Sequence, residues 1–386
     1  MNRRDFFKTL SLAGAALTLP RLAAADELPF NPVPADGWRT FQITTRLTPV
    51  PGTSHVWLPL PSFQDDTWVK PMGNLWSGNA DDIRVMTVPG YGAQMLVASW
   101  KSASSAAPEI EVVSRCATRD WAVDLSRPSK VAPLDAATRA RCLEATHFIP
   151  TDGIVRKTAL EITRGKMHDI DKARAIYEWV VENTERNHKT LGCGLGDIRF
   201  MLETGDLSGK CADINTLYVG LARSVGLPAR DLYGIRVAKS RFAYKTLGAS
   251  GNISKAQHCR AEVWLEEYGW VPVDPADVRK VMLDERPGLT LKDPIVAAVR
   301  EKLFGAWESN WVPYNTAHDV KLPGSSGPAI PFLMYPQGEA DGKRLDSVDP
   351  KTFAYSITSE EINGLSTTSH QDDGNTGHIV SAGALR

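Results

Sequence analysis

The sequence predicts an α+β protein whose first domain is all β, and three observations carry that prediction. From Trp38 to Trp121 the apolar residues recur with period two between Pro- and Gly-rich turns. An apolar helical stripe starts just after Cys211, and a β-hairpin follows from His258 to Asp274. A cysteine-bearing helix packed on an antiparallel sheet forms the core of such a chain. A sandwich-like β domain precedes it and a small β region follows.

Taken in order, residues 1–25 read as an export signal. Asn2-Arg3-Arg4-Asp5-Phe6-Phe7-Lys8 matches the twin-arginine pattern, Leu10 to Leu19 is apolar, and Ala23-Ala24-Ala25 supplies an A-x-A cleavage site. The apolar run is too short to span a membrane and no later segment does better, so no transmembrane segment is expected. The mature protein is therefore expected in the bacterial periplasm or secreted, delivered by the twin-arginine translocation machinery. A Pro-rich linker follows, over 26–36.

The N-terminal β domain is placed at 36–125. Phe41, Ile43, Thr45 and Leu47 alternate with Thr40, Gln42, Thr44 and Arg46. Further strands are expected at His55–Leu60, Ile83–Val88, Gln94–Trp100 and Ile110–Thr118, with Trp57, Trp68 and Trp76 as core residues. A linker from Ser126 to Leu134 leads to the catalytic domain at 140–318. Its first helices run from Asp152 to Arg164 and from Asp169 to Glu185. The loop Gly192-Cys193-Gly194-Leu195-Gly196-Asp197 has the glycines of a phosphate loop, but no strand precedes it and no Lys-Ser/Thr follows, so that reading is rejected.

In the next helix Ile214, Leu217, Leu221 and Val225 form the apolar stripe, and Gly226 and Pro228 stop it. Ala229–Val237 is a strand, Lys239–Gln257 a basic connection, and the His258–Asp274 hairpin turns at Glu266-Glu267-Tyr268-Gly269. Residues 278–318 read as largely helical, 319–358 as a small C-terminal β region, and 359–386 as a flexible tail. The formal net charge of −1 argues against nucleic acid as a partner. The five cysteines contain no C-x-x-C pair, so a structural zinc site is not expected. No cofactor is expected.

Acyl chemistry through cysteine needs a thiolate, an imidazole to manage its proton, and a group to orient the imidazole. Cys211 sits in the first turn of its helix, where unpaired N–H groups and the helix dipole favour an anion. His258 opens the hairpin, and Asp274 lies on the returning strand at even spacing from it, with Asp277 as the nearest rival. Asp213 is read as structural, and Arg223 and Arg230 as packing and ion-pair residues.

At these blocks the chain resembles the transglutaminase-like superfamily of cysteine acyltransferases and proteases. The resemblance rests on Gly209-Lys210-Cys211-Ala212-Asp213, on Ala222 through Arg230, and on His258 through Asp274-Pro275. It implies a papain-like core with Cys211, His258 and Asp274 as nucleophile, base and orienter. It also implies acyl transfer on peptide or side-chain amides through a thioester, with hydrolysis of an envelope protein or peptide substrate placed first. Glutamine cross-linking (a γ-glutamyltransferase) and a non-catalytic scaffold retaining the fold are the alternatives. Two departures bear on substrate preference: Arg260 stands where members often carry an aromatic residue, and Cys259 directly follows the histidine.

Overall fold

The structure is a computed structural model, and it describes residues 30–33, 37–48, 53–101 and 107–362. The expected export signal at 1–25 lies outside these residues, and so do residues 363–386 of the tail expected at 359–386. Ser359, Glu360 and Glu361 instead complete a strand paired with Phe41, Gln42 and Ile43. Of the stretch read as a Pro-rich linker, Phe30 is buried against the rings of Phe242 and Tyr244, at 5.3 and 5.6 Å.

The β domain is a sandwich of two antiparallel sheets. One sheet runs in the order Gly251–Asn252, Tyr355–Glu361, Arg39–Leu47, Ile110–Thr118, Val69–Gly78. The other runs Lys343–Arg344, Gln337–Ala340, Thr53–Pro59, Gln94–Ser99, Asp82–Thr87. Leu47, Val56, Leu58, Leu96, Val112 and Phe353 pack together between them. The residues after the core are β as expected, and their strands enter the same two sheets as the N-terminal ones. Phe41 faces Glu361 and Trp57 faces Gln337 across the ladders.

Strand Val69–Gly78 escapes sequence reading because Pro71 and Gly73 argue against a strand. It is an edge strand with a register shift between those two residues, the place where a missing N–H is tolerated. Trp57 and Trp68 are core residues, as expected, and Trp76 is half-buried.

The second unit is a four-stranded antiparallel sheet in the order Gly269–Val273, Gln257–Leu265, Ala229–Arg236, Trp311–Asn315. The cysteine helix, Cys211–Ser224, is buried along its entire length. Helices Gly153–Ile162, Asp169–Asn183 and Pro275–Asp284 join the same core through Val155, Ile176, Tyr177, Val180 and Val278. The stretch 278–318 is less helical than expected. After helix Pro294–Lys302 the chain forms strands Trp311–Asn315 and His318–Val320. Pro313 hides the first of these from pattern reading, and it too lies at a sheet edge.

Candidate active site

The cysteine helix places the thiol of Cys211 at its first residue, behind a cap at Lys210. The acid of that first turn, Asp213, anchors a loop. Its Oδ1 accepts from the N–H groups of Leu195 and Gly196 (both 3.0 Å), and its Oδ2 from the N–H of Lys210 (2.9 Å). The glycine loop 192–197 is thus an anion cradle whose anion is the protein's own carboxylate. Gly194 has φ of +92°, and a Cβ there would be driven into the Asp213 carboxylate. The loop in turn docks on the helix, where the Ala212 N–H donates to the Cys193 carbonyl at 2.9 Å.

The strand Gln257–Leu265 is wholly buried yet alternates in chemistry. Cys259, Ala261 and Val263 fall on one face, and His258, Arg260 and Glu262 on the other. In the hairpin Ala261 pairs with Val273, which makes His258 and Asp274 diagonal neighbours on one face. The His258 Nε2–H donates to Asp274 Oδ2 at 2.7 Å, which leaves Nδ1 for the thiol of Cys211.

Asp274 is fully buried rather than open to the cleft, and its two oxygens divide the work. Oδ2 holds His258, while Oδ1 caps helix Pro275–Asp284 by accepting from the Asp277 N–H at 3.1 Å. One carboxylate thus both caps a helix and holds the imidazole ring. Asp277 lies farther from His258 Nε2, at 3.5 Å, and is engaged by the Arg236 guanidinium at 2.6 Å.

Three contributors were not legible in advance. Asn215, one turn beyond Cys211, donates to Asp274 Oδ1 (3.1 Å) and the Cys259 carbonyl (2.8 Å), and accepts from the Ala276 N–H (3.1 Å). Its signal was an amide one helical turn, four places, after Cys211. Gln257 lines the cleft with a buried Nε2 that has no partner. Trp311 donates from Nε1 to the His258 carbonyl at 2.9 Å.

Arg260 lies under the cluster. Its guanidinium rests on the indoles of Trp307 and Trp311, at 5.3 and 4.8 Å, with Nε 3.6 Å from Asp274 Oδ2. Burial pushes it down to about 10, so it remains a cation beside that carboxylate at neutral pH. Arg223 and Arg230 behave as read. The first donates to the Ala229 carbonyl at 2.8 Å, and the second pairs with Glu262 at 2.7 Å.

All five cysteines are buried free thiols, and three of them meet. The adjacent Cys193 and Cys259 thiols hold Cys211 well below the ordinary thiol range, while the Cys193 S–H itself reaches the Gln257 carbonyl at 3.4 Å. Burial opposes that lowering, and the His258 hydrogen bond and charge add to it. The neighbours move the other way: proximity to Cys211 and burial raise Cys193, and burial and that same proximity raise Cys259. For His258, burial and the Arg236 charge act downward, but Asp277 and Asp274 outweigh them and leave it raised. The arrangement favours a Cys211 thiolate beside a His258 imidazolium.

His258, Asp274 and Asp277 also bring ligand-type atoms within 4.8 Å of one another. Arg236 and Arg260 already neutralise those carboxylates, so the donor set suits an oriented imidazole better than a divalent cation. A cleft of about 420 Å³ opens onto Cys211 and His258. One side comes from the 248–258 stretch of the basic connection. The other comes from Tyr335, Val348, Phe353 and Tyr355.

Comparisons with known proteins agree with this geometry. The family profile described as Transglutaminase-like superfamily matches residues 156–275. An uncharacterised protein of Haemophilus influenzae is 38% identical over 325 residues, which span 81% of this chain and 87% of the relative. The uncharacterised protein YebA of Bacillus subtilis is 29% identical over 131 residues, covering 31% of this chain and 17% of its own length. A solved structure from Cytophaga hutchinsonii, described as a candidate cysteine protease, shares the fold. Its TM-score is 0.51 at 13% identity, over 89% of this chain and 98% of that one. With its cysteine helix, histidine hairpin and sequence relatives in agreement, the chain belongs to the transglutaminase-like superfamily.

Proposed function

We propose that this protein is a cysteine acyl-transfer enzyme that hydrolyses peptide or side-chain amides of the cell envelope. The observation that carries the reading is the Cys211 sulfur itself. It lies beside the Cys193 and Cys259 thiols, which favour its anion, and faces an imidazole held by a buried carboxylate. The thiolate attacks the amide carbonyl carbon and forms a C–S bond. The oxygen that becomes negative meets the Cys211 N–H and the unpartnered Gln257 amide. The imidazolium gives its proton to the departing amine as the C–N bond breaks, leaving a thioester. His258 then takes a proton from water, the hydroxide adds to the thioester, and the carboxylic acid leaves as the thiolate reforms.

An amine in place of water at the second step gives cross-linking instead, and Cys211 without turnover gives a scaffold. Mass spectrometry of the mature protein after incubation with peptide p-nitroanilides and p-nitrophenyl esters tests the reading. An acyl adduct confined to Cys211, with release of free acid, supports it. Absence of any Cys211-dependent turnover with every amide, ester and amine acceptor would favour the scaffold.

The envelope assignment rests on the Arg3-Arg4 signal, and among the described residues no helix is long and apolar enough to cross a membrane. Replacing both arginines with lysine should leave precursor in the cytoplasm. Unchanged periplasmic yield would rule out the twin-arginine route.

A further inference from the structure

The cleft that reaches Cys211 is electrostatically one-sided. Arg186, Lys210, Arg236, Lys255 and Lys280 line it and, among the described residues, no carboxylate does, although the whole chain is balanced at a formal net charge of −1. Two of these cations are already compensated. Arg186 pairs with Asp284 at 2.9 Å and Arg236 with Asp277 at 2.6 Å. Among the described residues, the ammonium groups of Lys210, Lys255 and Lys280 form no ion pair.

Lys280 matters most. It is half-buried on helix Pro275–Asp284, in the field of Arg236, Arg186, Asp277 and Cys211. Burial, and then repulsion from Arg236, push its ammonium down to about 8. A partly desolvated cation without a direct ion-pair partner is unfavourable, and an anionic ligand relieves that cost. The three free charges are ammonium groups on separate segments, before the cysteine helix, on the basic connection and on the helix after Asp274. They suit carboxylates distributed along an extended chain better than one compact polyanion.

This inference rests on the acyl-transfer reading above and names its substrate class. We propose that the cleft takes an anionic peptide with a carboxylate beside the amide that Cys211 attacks, Lys280 being its principal counterion and Lys210 and Lys255 the outer ones.

Two alkylating reagents of nearly equal size test the charge preference without knowledge of the substrate. Iodoacetate is anionic and iodoacetamide is neutral. The ratio of their rate constants at Cys211 cancels the fraction of thiolate present. In mature protein at neutral pH and low salt, that ratio should exceed the ratio for a small free thiol by about tenfold. It should fall toward the free-thiol value in about 1 M salt. Lys280→Gln should collapse most of the excess, and Lys280→Arg should keep it.

In the second arm, internally quenched peptides with Glu or Gln flanking the scissile bond are compared by kcat/KM. The Glu series should be preferred by about the same factor, and Lys280→Gln should shrink the preference. A parent ratio equal to the free-thiol value, or one indifferent to Lys280→Gln, would overturn the proposal, and so would equal use of Glu and Gln peptides. A raised reagent ratio with no turnover of any peptide would leave the anion site standing and remove the acyl-transfer reading instead.

Discussion

The thiol of Cys193 donates to the Gln257 carbonyl at 3.4 Å beside the sulfur of Cys211, and the two cysteines titrate in opposite directions. A donor loses acidity when its proton is already engaged, and a sulfur beside polar S–H groups gains stability as an anion. Cys211 should therefore be the fastest of the five thiols to alkylate near neutral pH. Site-resolved mass spectrometry with limiting iodoacetamide checks this. Faster labelling of Cys193 or Cys259 would refute the assignment of the nucleophile. Cys193→Ala removes one neighbouring thiol and should move the Cys211 titration upward.

The pH dependence of kcat/KM should be a bell whose limbs have assigned signs. Cys211 is depressed, so activity appears as pH rises through a value below the ordinary thiol range. His258 is raised, so the imidazolium that protonates the leaving amine disappears as pH rises through a value above the ordinary imidazole one. Removing the carboxylate that supports the imidazolium, by Asp274→Asn, should pull the alkaline limb toward neutrality. It should also reduce kcat on the order of 10³-fold, since Oδ2 fixes the ring. An unmoved alkaline limb would mean that another group controls it.

Cys211→Ala and His258→Ala should each abolish turnover, and the double variant should be no worse than either, because both disable one step. Additive losses would show that the two residues act separately.

Gly194→Ala tests the carboxylate cradle. The added methyl group meets Asp213 and occupies a backbone conformation that L residues rarely adopt. The variant should lose about 1–3 kcal/mol in urea denaturation and should slow alkylation of Cys211, because the loop carries Cys193. Parent-like stability would mean that the loop relaxes freely.

Buried Asp231 provides a check on stability away from the cleft. Burial raises its carboxyl to about 7, with Arg223 and the Thr216 hydroxyl pulling the other way. His318 lies 3.6 Å away and is held neutral, chiefly by burial. In the unfolded chain the carboxyl releases its proton near the ordinary carboxylate value. Between that value and about 7 the folded state therefore holds more protons, and this residue's contribution to stability falls as pH rises. Asp231→Asn should remove that decline and gain most over the parent above pH 7. A Tm difference independent of pH would contradict the account.

Much of this was legible in the sequence, for local reasons. The stripe after Cys211, the stop at Gly226 and Pro228, and the alternation of the hairpin are short-range patterns, and the structure carries helix Cys211–Ser224 and strands Gln257–Leu265 and Gly269–Val273 there. The pairing of Arg39 with Glu361 joins residues 322 apart, and no period reports such a contact. Asn215, Gln257 and Trp311 were hidden for a related reason: each acts through where the fold brings it, and none belongs to a local pattern of its own. The strands containing Pro71 and Pro313 were obscured because residue preference there gives way to position at a sheet edge.

The sandwich that walls the cleft also sets an order of events. Cys211, His258 and Asp274 all leave the ribosome before Tyr335, Val348, Phe353 and Tyr355, which form the far side of the cleft. Strand Tyr355–Glu361 must travel back to a partner synthesised at the start of the chain, a slow closure dominated by distant contacts. A growing chain therefore holds the reactive sulfur while the groove that would grip a substrate is still half built. Among the described residues strand Tyr355–Glu361 is the last to emerge, so the far wall of the cleft closes only after the segments carrying Cys211, His258 and Asp274 are in place.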